Sequence, residues 1–212
     1  MMKFENQDKI RGRPIKLNKL RLELKPGKDY TEIVFCGDWH YGARECAVNK
    51  VKDMLDYCLK HRIYVFLMGD LLEAGLRTSI GASMYRQKLN PQKQMEDVIE
   101  LLRPLSENNL ILGALEGNHE LRIEKETGIS IMKVICRFLN IPYLHGACWN
   151  LWYVKDQSYK VYTLHGSSSS RYVYTKLKAL VDISHNFNAD LMAMGQRGSY
   201  KIWLYAGIPL EP

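Results

Sequence analysis

Five short apolar runs, each followed at once by small or metal-capable residues, set the tightest limit on what this chain can fold into. They are Ile33 to Cys36, Tyr64 to Met68, Leu110 to Leu115, Val161 to Leu164 and Leu191 to Met194. All are rich in β-branched or large apolar residues and too short for helices, so they are predicted strands. Between them the apolar spacing changes to threes and fours: Val48, Val51, Leu55, Cys58 and Leu59; then Met95, Val98, Ile99 and Leu102; then Ile131, Val134, Ile135 and Phe138; then Val173, Leu177, Leu180 and Val181. That spacing places one apolar face on each of four helices. Strands alternating with helices predict βαβ units and a largely parallel core.

Two segments depart from this rhythm. Residues 148 to 164 hold two strand-like stretches flanking Lys155-Asp156-Gln157, which predicts a hairpin. Segment 15 to 24 alternates loosely (Ile15, Leu17, then Leu20, Leu22, Leu24), which predicts an edge strand with an irregularity near Asn18-Lys19. The predicted fold class is therefore α/β, a two-layered mixed β-sheet sandwich flanked by helices. At 212 residues the chain has room for one domain with a continuous core. Residues 1–30 read as a basic N-terminal extension or edge strand and 31–212 as the domain proper.

Composition narrows the class further. An apolar fraction of 46% with 25% charged residues fits a globular chain and excludes a disordered one. No apolar run approaches the roughly 18 residues that a membrane span needs. The first residues lack the apolar stretch of a secretory signal, so the expected compartment is cytoplasmic. Five cysteines, with no Cys-x-x-Cys pair, suggest neither a disulfide framework nor a zinc knuckle. Net charge is +7, and nine Lys or Arg against four Asp or Glu in residues 1–30 place most of the excess at the N-terminus.

The chemistry lies at the strand ends: Gly37-Asp38-Trp39-His40, Gly69-Asp70, Gly117-Asn118-His119-Glu120 and His165-Gly166. In an open α/β sheet the ligand crevice lies beyond the carboxyl ends of the strands, so residues distant in sequence can meet there. Carboxylate and amide oxygens mixed with imidazoles suit Mn²⁺, Fe or Zn²⁺. Taken singly, an Asp or Asn after a strand is as readily a helix cap or turn residue. Four such groups in order argue for a site.

In that order the motifs D-x-H, G-D, G-N-H-E and a later lone His-Gly resemble the calcineurin-like metallophosphoesterase superfamily, over about residues 31 to 195. The resemblance implies a metallophosphoesterase-type fold that hydrolyses phosphate esters with two divalent ions, Mn²⁺ foremost and Fe or Zn²⁺ as alternatives. By position it implies Asp38 and His40 on one ion, Asn118 and His165 on the other, and Asp70 bridging both. Two ions roughly 3.5–4 Å apart would hold the phosphate and activate water for in-line attack. His119 becomes the acid catalyst, Asp70 shares the catalytic role, and Asn118 and His119 contact the substrate. Arg171, after Ser167 to Ser170, is a further candidate for the phosphate. Glu120 is expected to orient a loop and Trp39 to pack. His61, His145 and His185 stand outside the pattern.

One motif is missing. The family closes its site with Gly-His-x-His, whereas Gln196-Arg197-Gly198 follows Gly195. Either the protein has a weakened site, or a stretch carrying the motif is omitted between Gly195 and Gln196; the second is the expectation, because the other motifs are intact. For substrate, the basic balance and the likeness to small DNA-repair-type nucleases imply a phosphodiesterase or nuclease acting on nucleic acid. Arg11-Gly12-Arg13-Pro14 weakly resembles an AT-hook core, against which stands a solvated basic tail. The alternatives are a small-nucleotide phosphodiesterase or phosphatase, and a catalytically degenerate fold serving as a binding subunit.

Overall fold

In the computed structural model, residues 9–10, 13–79, 85, 87–166, 173–185, 187–195 and 203–206 are described. The strands are β1 (Lys9–Ile10), β2 (Arg13–Pro14), β3 (Lys16–Leu22), β4 (Ile33–Cys36), β5 (Tyr64–Leu67), β6 (Ile111–Ala114), β7 (Ala147–Val154), β8 (Gln157–Leu164), β9 (Leu191–Met194) and β10 (Trp203–Ala206). The helices are α1 (Val48–Lys60), α2 (Pro91–Glu107), α3 (Asn118–Thr127), α4 (Ile131–Phe138) and α5 (Val173–Ser184). The five predicted runs are all strands, and the four predicted helical segments are all helices.

Two sheets form the centre. One is β4-β5-β6, parallel throughout; the other runs in the order β10-β9-β8-β7-β3 and mixes parallel with antiparallel pairs. A small β1-β2 pair stands apart. Alternation along β5 explains the layering. Val65 and Leu67 face a core shared with Leu55 and Cys58 of α1, Val98 and Leu102 of α2, and Ile131 and Ile135 of α4. Phe66, with Met68 just beyond the strand, faces the other sheet and meets Cys148, Trp152, Val161 and Ala193. On that sheet's far side Tyr162, Leu164, Met192 and Met194 pack against Leu180 of α5. Each fully buried large apolar side chain contributes about 1.5–3 kcal/mol to this stacking.

Local chemistry sets the element ends. The side chain of Asn90 accepts the Lys93 N–H at 2.9 Å and Pro91 occupies the first turn, which starts α2. The hairpin turns tightly between β7 and β8, with Lys155 at φ 52°. All five cysteines are free thiols. Among the described residues no helix is long and apolar enough to cross a membrane.

The expected irregularity in segment 15–24 is not there. β3 pairs with β7 in unbroken parallel register from Lys16↔Cys148 to Leu22↔Val154, at the edge of the sheet. The inward residues are Lys16, Asn18, Leu20 and Leu22, while Leu17 is 60% exposed. Two inward polar residues masked the alternation. Lys16 reaches the Tyr143 carbonyl at 2.6 Å, and the Asn18 amide donates to the Leu112 carbonyl and to Asn150 Oδ1 at 3.2 and 3.1 Å. Satisfied in this way, they sit in the core side at little cost.

Candidate metal centre

The loops that leave β4 and β5 are laced together by backbone. Asp38, His40 and Tyr41 donate their N–H groups to the carbonyls of Gly69, Asp70 and Leu71 at 2.9, 3.1 and 2.8 Å. In these laced loops Asp38, His40 and Asp70 take left-handed backbone conformations, with φ of 53°, 49° and 50°. For non-glycine residues this costs on the order of 1–3 kcal/mol each, which surrounding structure must offset. The third loop closes on the same point, where a side chain at Gly117 would run into the Asp70 carboxylate. Only a bare backbone fits there.

Four separate segments thus converge. The donor atoms of Asp38, His40 and Asp70 lie within 4.8 Å of one another. Asp70 Oδ1 accepts the His119 N–H at 2.8 Å, while Oδ2 makes no well-formed hydrogen bond and pairs with His165 Nε2 at 3.4 Å. That same nitrogen lies 3.3 Å from Asn118 Oδ1. His165 Nδ1 is held by the Met68 carbonyl at 2.7 Å, which fixes the imidazole between the two sheets. Arg171 and Ser167 to Ser170 lie outside the described residues, as do Arg11-Gly12, Gln196-Arg197-Gly198 and the junction after Gly195.

Glu73 is the residue that the motifs did not disclose. Its carboxylate lies 3.2 Å from His40 Nδ1 and 3.6 Å from His119 Nδ1, and its carbonyl is 2.6 Å from His119 Nδ1. A carbonyl can only accept, so Nδ1 carries the proton and Nε2 of a neutral His119 presents its lone pair. That Nε2 is buried without a hydrogen-bond partner. The only sequence signal for Glu73 is its place three residues after Asp70 at a strand end. Glu120 is the organiser: its carboxylate accepts the N–H groups of Asp70, Leu72 and Gly117, each at 3.0 Å. Trp39 is buried in the core beside α1 and α2.

Electrostatics follow from burial and proximity. Burial disfavours the charged form of Asp70, but the imidazoles of His165, His119 and His40 outweigh it and hold the carboxylate well below its usual range. Burial would lower His165 too; Asp70 and Asp38 reverse this and push it up to about 9. His119, buried and next to His40, is lowered to about 4. Burial, helped by the charge of Asp70, pushes Glu120 up to about 7. His40 is raised, because Glu73, Asp70 and Asp38 outweigh its burial.

This arrangement fits a divalent cation. Asp38 and Asp70 are buried carboxylates in one cleft, and an Asp70 oxygen and a His119 nitrogen within it lack a well-formed hydrogen bond. Buried groups of this kind are normally satisfied. Oxygen and imidazole donors together match Mn²⁺, Fe or Zn²⁺. His40, Glu73 and His119 form a second cluster with donor atoms within 4.8 Å.

Residues 31–205 match the model of the calcineurin-like phosphoesterases. The chain belongs to that family. Compared with the curated proteins, it matches none. As a calcineurin-like phosphoesterase it carries the fold of metal-dependent phosphoester hydrolysis, with its candidate ligand clusters at the carboxyl ends of β4, β5 and β6.

Proposed function

We propose that this chain is a divalent-metal-dependent phosphodiesterase of nuclease type. The observation that carries the reading is the meeting of Asp38, His40 and Asp70 donor atoms within 4.8 Å, with His165 Nε2 lying 3.4 Å from Asp70 Oδ2 and 3.3 Å from Asn118 Oδ1. One ion would be held by Asp38, His40 and Asp70, and a second by Asp70, Asn118 and His165, with Mn²⁺ the first choice. When bound, such ions supply Lewis-acid polarisation of the phosphate and a water acidified enough to attack near neutral pH.

The protein's own groups do the rest. Asp70, pinned by the His119 and Glu120 contacts, keeps its charge across the working pH range. His119 starts neutral, with its Nδ1 proton donated to Glu73. An anionic phosphate brought against Nε2 replaces lost solvation and favours the imidazolium, helped by the Glu73 carboxylate behind the ring. The imidazolium, having taken its Nε2 proton from solvent as the substrate binds, then gives that proton to the departing alkoxide. Asn118, at the start of α3, would contact a phosphate oxygen as well.

A net charge of +7 favours a polyanionic substrate, which supports polynucleotide over a small nucleotide. A degenerate binding subunit is favoured by one observation, the absence of both histidines after Gly195. Wild type and His119→Ala are to be compared on single-stranded DNA and on a bis-nitrophenyl phosphate diester, with and without Mn²⁺. The expected result is Mn²⁺-dependent cleavage of both, lost by about 10²–10⁴-fold in the variant while Mn²⁺ binding persists. Cleavage of the small diester alone overturns the nuclease reading. No Mn²⁺ binding by wild type overturns the enzyme.

A further inference from the structure

A cavity of about 450 Å³ is walled by the end of α3, α4 and the loop before β7. Lys133 and Arg137 on its α4 side are a helical turn apart and share one face. Both are exposed, and among the described residues neither has a carboxylate within ion-pairing distance. Opposite stand the rings of Tyr143 and His145, with centroids 4.6 Å apart. The Lys16 ammonium lies 5.1 Å from the Tyr143 ring centre and adds a third cation behind that wall. Among the described residues Glu124 is the one carboxylate on the lining.

The cavity is joined to the metal centre through Glu116. The Ser130 hydroxyl donates to Glu116 Oε1 at 3.2 Å, and the Glu116 N–H to the His145 carbonyl at 2.7 Å. Gly117 and Asn118 follow directly. The Ser130 side chain makes no capping bond to α4. Two exposed cations and two half-buried rings make a surface for alternating phosphates and bases, since phosphate takes the charge and bases stack on aromatic faces.

We infer that this groove holds the polynucleotide strand flanking the scissile phosphate, with Lys133 and Arg137 on its backbone and Tyr143 and His145 against its bases. The inference rests on the nuclease reading, and names where its substrate lies. The sum of wall charges favours an anion, and Ser130 and His145 of the lining both bond to Glu116, two residues before Asn118.

The test measures binding of a fluorescein-labelled single-stranded DNA oligonucleotide by anisotropy across a salt series, for full-length wild type, K133E/R137E, and K50E/K52E on α1. The last carries the same charge change on exposed residues elsewhere. Expected is a roughly tenfold or greater loss for K133E/R137E, with its log–log salt slope shallower by about one to two, and a clearly smaller loss for K50E/K52E. Turnover of the bis-nitrophenyl diester, too short to reach the groove, and thermal melting report whether the metal centre and fold persist. Equal affinity and slope for wild type and K133E/R137E, or equal losses for the two variants, overturn the groove while leaving a nuclease intact. Absence of salt-dependent DNA binding by wild type, with the small diester still hydrolysed, overturns the substrate reading and the groove together.

Discussion

The carboxylate of Glu120 accepts the backbone N–H of Asp70 at 3.0 Å, so the first turn of α3 holds the loop after β5 in its left-handed bend. The same two oxygens bind the amides of Leu72 and Gly117. A neutral amide cannot serve all three donors, because its NH₂ would face an N–H. Glu120→Gln is expected to lose about 1–3 kcal/mol of stability, the cost of stranding a buried donor, and to weaken metal binding as Asp70 loosens. Denaturant unfolding and a Mn²⁺ titration check both, and an unshifted midpoint contradicts the organising role.

Glu73 supports two imidazoles from behind, so its removal should be felt in binding and turnover together. Glu73→Ala is expected to lower metal affinity by about 10–100-fold, as outer carboxylates behind metal-binding histidines commonly do. It should also lower turnover at saturating metal, since His119 loses its anionic neighbour. Activity restored fully by excess metal would confine Glu73 to the His40 side.

The charge on His165 predicts proton release. Held up at about 9 by Asp70 despite its burial, the free imidazole is protonated at neutral pH, whereas a metal ligand must be neutral. Metal affinity is therefore expected to climb with pH until about 9 and then flatten. For the metal-free protein the sign is opposite: the stability due to the raised pKa is fully present below the ordinary value of 6.5 and is lost as pH rises through about 9. Calorimetry in two buffers of different protonation enthalpy measures the released proton directly. Identical heats in both would contradict the assignment of His165.

Much of this was legible in the sequence because strand periodicity and strand-end residues are local signals. Asp38, His40, Asp70, Asn118 and His165 each follow an apolar run, and the parallel pairing of β4, β5 and β6 brings three of those ends together. What stayed hidden depends on partners. Helix α3 is mostly polar, burying only His119, Glu120 and Ile123, so its apolar stripe is too thin to register. Glu73 has the composition of any loop acid until His40 and His119 are placed against it. The register of β3 was obscured by Lys16 and Asn18, inward-facing residues whose hydrogen bonds come from elements far along the chain.

Anomalous diffraction from crystals of the protein with Mn²⁺ tests the central claim most directly. The account predicts two Mn²⁺ peaks sharing Asp70, one beside Asp38 and His40 and the other beside Asn118 and His165. An empty cleft at millimolar Mn²⁺, or metal bound only away from Asp70, would contradict it.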